Sequence, residues 1–111
     1  MQTVRLALVG FGNVGRAFVR LLERKRALLA SQYGLDWVVT GIATGRHGMA
    51  IDPQGLDVQE ALRLAESGQS LDVLCRGPRP ASMLEFIRAC PADVLFENSP
   101  VNHHTGQPAI D

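Results

Sequence analysis

The stretch Thr3-Val4-Arg5-Leu6-Ala7-Leu8-Val9-Gly10-Phe11-Gly12-Asn13-Val14-Gly15 decides how this chain is read. Thr3 to Val9 is short, apolar and ended by glycine, which predicts a buried strand. From Val14 to about Ala30 apolar residues recur at helical spacing: Val14, Ala17, Phe18, Leu21, Leu22, Leu28 and Leu29 form one stripe, broken by Lys25. Between strand and helix, Gly10 to Gly15 spells GxGxxG. Alone the pattern is weak, but leaving a strand and opening a helix it is specific. Gly10 permits the tight turn, Gly12 lets a pyrophosphate approach the backbone, and Gly15 lets the helix pack close to the sheet. The helix start offers free amides and a positive dipole end to phosphates. The bland alternative is a glycine-rich turn with no ligand.

Working outward, Arg24, Lys25 and Arg26 lie toward the end of that helix, and Gly34 stops it. Trp37 to Ala43 is rich in β-branched residues and predicts a second strand. Thr44 to Leu56, punctuated by Gly45, Gly48, Pro53 and Gly55, reads as a loop. Asp57-Val58-Gln59-Glu60 fits a reciprocal helix cap, with Val58, Ala61, Leu62 and Ala65 facing inward and Gly68 at the end. Residues 69–81 are ambiguous, and Pro78 and Pro80 oppose regular structure over 76–80. Ser82-Met83-Leu84-Glu85 predicts another capping box, on a helix to about Ala89. Ala92 to Glu97 predicts a third strand, Asn98 to Gln107 a loop, and Pro108 the first residue of a further helix. Alternating strands and helices imply an α/β fold: a Rossmann-type doubly wound parallel sheet with right-handed crossovers, truncated before completion. Residues 1–111 then form the amino-terminal part of one NAD(P)-binding domain, and Met1 so close to the first strand speaks against a fusion ahead of it.

Composition agrees with one globular domain. The 111 residues carry 11 Lys+Arg and 11 Asp+Glu, a formal net charge of zero, with 46% hydrophobic residues, which excludes a disordered tail. That balance argues against non-specific nucleic-acid or acidic-lipid binding. No apolar run approaches the roughly 18 residues of a membrane span, and Leu6 to Val9 is too short for a signal core. Cys75 and Cys90 make no CxxC pair and read as buried, inert thiols. A cytoplasmic protein is expected.

The end of the second strand bears on the cofactor. NAD-binding chains usually place Asp or Glu there to hold the ribose hydroxyl. Here Ile42-Ala43-Thr44-Gly45-Arg46 offers none, and Asp36 lies at the wrong end of the strand. The Arg46 guanidinium suits a 2′-phosphate, which favours NADP(H) over NAD(H), although a solvated loop arginine is the plain alternative. His47 beside it could help or be idle. Asn98-Ser99-Pro100 follows the third strand, where loops line the ligand crevice. Asn98 and Ser99 either bond a nicotinamide ribose or serve a turn before proline. His103-His104 has no accompanying ligand cluster and reads as solvent loop. No nucleophile–base pair stands out, and Ser82 is better used as a cap.

Taken together, residues 6–15, Gly41 to Arg46, Ile51 to Asp57, Ala92 to Asn102 and Thr105 to Ala109 resemble the start of a homoserine dehydrogenase. The glycine pattern is widely shared, whereas this combination in this order is far more specific. The resemblance covers nearly the whole chain and is weakest at 69–81. It implies an oxidoreductase interconverting L-homoserine and L-aspartate 4-semialdehyde with NADPH or NADH, on the way to threonine, methionine and isoleucine. It implies cofactor contacts at Phe11, Asn13 and Val14, Arg46 at the adenosine 2′ side, and Ser99 where the family often has Thr or Ser near the nicotinamide ribose. The family's chains are far longer: its Asn-Lys motif, catalytic lysine, substrate-binding acids, monovalent-cation site and dimerisation surface have no match here. Glu97 is not its substrate glutamate. The resemblance therefore implies a homodimeric full-length enzyme, and a 111-residue piece that supplies the dinucleotide site and no turnover. A standalone NADP(H)-binding module and another amino-acid dehydrogenase of the same fold remain the alternatives.

Overall fold

The computed structural model describes residues 2–45 and 47–98. Strand β1 (Gln2–Val9) leads through the glycine loop into helix α1 (Asn13–Tyr33), then strand β2 (Leu35–Ala43). Strand β3 (Met49–Ile51), helix α2 (Val58–Glu66), a 3₁₀ turn (Leu71–Leu74), helix α3 (Met83–Ala89) and strand β4 (Val94–Glu97) follow. The sheet order is β3-β2-β1-β4, with β1 parallel to both β2 and β4.

One expectation fails in the 44–56 stretch, which is not all loop: Met49–Ile51 pairs antiparallel with Gly41–Ala43. The turn between them is closed by Thr44, whose hydroxyl accepts the His47 N–H at 2.6 Å and donates to the Gly48 carbonyl at 2.9 Å. Gly48, at φ +83°, supplies a backbone conformation that other residues avoid. The sheet is thus parallel except at this short edge strand.

Alternate residues of β1 point to opposite faces. Leu6 and Leu8 join Val19 of α1 and Val58, Ala61 and Leu62 of α2 in the larger core cluster. Ala7 and Val9 meet Phe86 of α3 on the other side, so helices cover both faces. On α1 the inward stripe is Gly15, Phe18, Val19, Leu22 and Leu29. Val14, Ala17, Leu21 and Leu28, grouped with it by spacing, are exposed, because close contact at Gly15 sets the rotation of the helix. On α2, Leu64 is buried beside the expected residues.

The helix ends largely follow the sequence. Gly34 takes the left-handed conformation after α1. The Gly68 amide bonds the Ala65 carbonyl and the Gln69 amide bonds that of Leu64, the paired bonds of a glycine-ended helix. Asp57 accepts the Gln59 and Glu60 amides, and Ser82 the Glu85 amide. The reciprocal halves differ: Glu60 turns forward to Arg63, drawn by the opposite charge, and Glu85 bonds the Ala81 amide rather than that of Ser82. At the 40/41 position β2 bulges: Leu6 pairs with Val39 and Ala7 with Gly41. The extra residue, Thr40, is fully buried and donates its hydroxyl to the Pro91 carbonyl at 2.7 Å, tying β2 to the start of β4.

Candidate functional site

Strands β1 and β4 are parallel neighbours whose last pair is Val9 with Glu97. Both therefore release their chains at the same sheet edge. From β1 the chain moves one way to β2, and β4 returns on the other side. This is a topological switch point, where open α/β sheets leave a crevice for ligands.

The glycine loop forms one wall. Gly10 has φ +100°, and its amide bonds the Ala43 carbonyl at 2.7 Å, binding the loop to the end of β2. Gly12 is the N-cap of α1 and gives no side-chain cap, whereas Asp57, Ser70 and Ser82 cap the other helical segments. A Cβ on Gly12 would meet nothing within 4 Å. Free amides therefore face open space at the positive end of a 21-residue helix.

Asn98 forms the other wall. Its amide bonds the Val9 carbonyl at 2.8 Å, extending β4 by one residue. Its side chain turns onto Gly15: a Cβ there would lie 2.7 Å from Asn98 Oδ1 and 3.0 Å from the Gly10 carbonyl oxygen. Gly15 is glycine because Asn98 and Gly10 occupy its flank. Both polar atoms of the Asn98 carboxamide are buried with no hydrogen-bond partner among the described residues. Such a group costs about 1–3 kcal/mol when left unpaired. Those atoms are covered by the surrounding chain and pack on Gly15, while the open room over Gly12 fits a pyrophosphate.

Gly10, Gly12, Gly15 and Asn98, named from the sequence, thus come together. Asn13 and Val14 sit exposed in the first turn of α1. Phe11 does not present its ring: it is buried in the larger core cluster, leaving only its backbone for a ligand. Arg46, Ser99, Pro100, His103, His104 and Pro108 lie outside the described residues. Asp36 falls at the amino end of β2, paired with Arg26, far from the crevice in the strand order.

Sequence reasoning missed Arg16. Its Nε donates to the Gly12 carbonyl at 3.2 Å and its Nη2 to Asn13 Oδ1 at 2.9 Å, folding the guanidinium back over the loop. The signal was present, since a cation early in a helix opposes the dipole and needs a reason. A second depression, of about 500 Å³, is lined by Gly48, Met49, Asp72, Arg79, Pro80 and Ala81. Its charges already satisfy one another: Asp72 accepts the Met49 amide and Arg79, which hold its carboxyl below the usual range. The two thiols are half-buried, not fully buried, and burial pushes Cys90 up, which makes it less reactive. Among the described residues no helix is long and apolar enough to cross a membrane.

No family model matches the sequence. A homoserine dehydrogenase of Methanocaldococcus jannaschii is 33% identical over 104 residues, 94% of this chain and 30% of that protein. An NAD(+)-dependent homoserine dehydrogenase of Pseudomonas canavaninivorans is 30% identical over 98% of this chain and 31% of its own length. Among solved structures, a hyperthermophilic archaeal homoserine dehydrogenase in complex with NADPH superposes with TM-score 0.67 at 26% identity, covering 88% of this chain and 29% of that one. The Thermoplasma acidophilum homoserine dehydrogenase gives TM-score 0.65 at 18% identity, over 91% of this chain and 28% of that one, a likeness of fold. The chain is therefore homologous to homoserine dehydrogenases along most of its length, as its segments led one to expect. It spans about three-tenths of the curated relatives it matches.

Proposed function

We propose, with that homology as premise, that this chain is the dinucleotide-binding part of a homoserine dehydrogenase. In the longer enzyme it serves the interconversion of L-homoserine and L-aspartate 4-semialdehyde, in threonine and methionine biosynthesis. The observation that carries the reading is the glycine loop between β1 and α1, with its open Gly12 and a helix start that has no side-chain cap, beside the end of β4. The α1 amides and Gly12 would hold the pyrophosphate, and Asn98, with Ser99 and Pro100, the nicotinamide ribose. A bound nicotinamide supplies or accepts the hydride.

NADP(H) is the preferred cofactor and NAD(H) the second. Thr44 stands where an NAD-binding chain has its carboxylate, and its hydroxyl is committed to the Gly48 carbonyl and the His47 amide. That leaves Arg46 to meet a 2′-phosphate. The rest of the machinery, including the proton donor and the aldehyde site, belongs to the longer protein, a cytoplasmic homodimer. No residue of this chain takes a catalytic role.

The test is calorimetric titration of the chain with NADPH and NADH. Buried Trp37 lies at the amino end of β2 and is a poor reporter. Saturable binding, tighter for NADPH, is expected. Equal or tighter NADH binding would remove the Arg46 argument, and turnover of L-homoserine with NADP by this chain alone would refute the division of labour.

A further inference from the structure

We propose that Arg16 is a cofactor-binding residue, the counter-charge for the dinucleotide's pyrophosphate; this rests on the dinucleotide reading above. The first turn of α1 contains no acidic residue and no side-chain cap. It carries a cation instead, where the helix dipole is repulsive. The guanidinium does not extend into solvent. Its bonds to the Gly12 carbonyl and Asn13 Oδ1 fold it along the loop, leaving the side chain 20% exposed. Nη1 makes no hydrogen bond among the described residues. Its nearest anion is Glu66 Oε2, at 3.9 Å, and Arg20 takes that carboxylate in closer contact. Arg16 is thus pre-positioned along the loop, with Nη1 engaged only by the long 3.9 Å pair to Glu66.

A separate observation concerns the same loop: a Cβ on Gly12 would meet nothing within 4 Å, so the backbone beside Arg16 is open to a ligand. The choice of phosphate follows from the anchoring residues. Arg16 is tied to Gly12 and Asn13, where a pyrophosphate must pass close to the backbone. A 2′-phosphate belongs beyond β2, at the 44–48 turn. The pyrophosphate is common to NADH and NADPH, so Arg16 serves affinity for both and choice between neither.

Arg16→Gln separates these outcomes, with Arg20→Gln as the control that also loses a Glu66 pair. Both variants and the unaltered chain are titrated with NADPH and NADH at two salt concentrations, and their melting temperatures compared. Arg16→Gln is expected to weaken both dinucleotides by a similar factor, about tenfold. It should also flatten the salt dependence, while Arg20→Gln stays within about twofold. Unchanged affinity in Arg16→Gln overturns the proposal. So does a loss confined to NADPH, or an equal loss in Arg20→Gln. If the unaltered chain binds neither dinucleotide, the dinucleotide reading itself fails and takes this proposal with it.

Discussion

Strands β1 and β4 lie side by side, point the same way and end level, yet their surroundings among the described residues differ. The last four residues of β1 are buried, with a strand on either side and a helix-bearing core on each face. Among the described residues β4 has one partner strand, and its Val94 and Leu95 are each 48% exposed. Helix α1 repeats the contrast around its own axis, with Val19 fully buried and Val14 64% exposed. The stability of the described chain therefore resides on the β1 and β2 side. Asn98 hangs from the less supported strand and is held by its backbone bond to Val9 and its seat on Gly15.

Substitutions can break this contrast. The largest effect is expected from Leu8→Ala, at a site with no exposure, which should cost about 4 kcal/mol in denaturant unfolding. If it costs no more than a change on β4, the contrast is wrong. Gly15→Val comes next, at about 3 kcal/mol, with loss of NADPH binding, because the new Cβ meets Asn98 Oδ1 and the Gly10 backbone. Recovery of stability on adding Asn98→Ala would locate the clash in that pair. Asp57→Ala should cost about 1 kcal/mol by removing two capping bonds, while leaving NADPH affinity alone. Leu95→Ala should cost under about 1 kcal/mol, since half the side chain is already in water.

The smallest effect is in pH dependence. The Met49 amide, with Arg79 and Ser70, keeps the Asp72 carboxyl below the usual carboxylate range. A depressed folded value stabilises the chain above the unfolded value, and that gain is lost as pH falls through the folded one. The advantage of the unaltered chain over Asp72→Asn should therefore be present at pH 7 and fade in acid, as read by thermal melts at both. An advantage that grows in acid would contradict the sign.

Much of this arrangement was legible in the sequence where one residue's chemistry settles a local matter. Gly10 to Gly15, Gly34, Asp57, Gly68 and Ser82 each mark a turn or helix end by conformation or hydrogen bonding, and the structure has those features where expected. What escaped depends on distant partners. Met49-Ala50-Ile51 is too short and too closely flanked by Gly48 and Pro53 to announce a strand, and it forms because the edge of β2 offers bonds. Two apolar faces run along α1, and spacing alone cannot say which turns inward; the contact of Gly15 with Asn98 does. Arg16 went unremarked because its value lies in folding back onto Gly12.

The central claim, that the open space over Gly12 is a pyrophosphate seat, is tested most directly by Gly12→Ala. Nothing in the folded chain lies within 4 Å of the added Cβ, and φ at this residue is −84°, so folding should change by no more than about 1 kcal/mol. Calorimetric titration with NADPH should then show binding by the unaltered chain and at least a tenfold loss in the variant, with the two melting within a few degrees of each other. Equal affinity in the two, or no binding by the unaltered chain, would contradict the account.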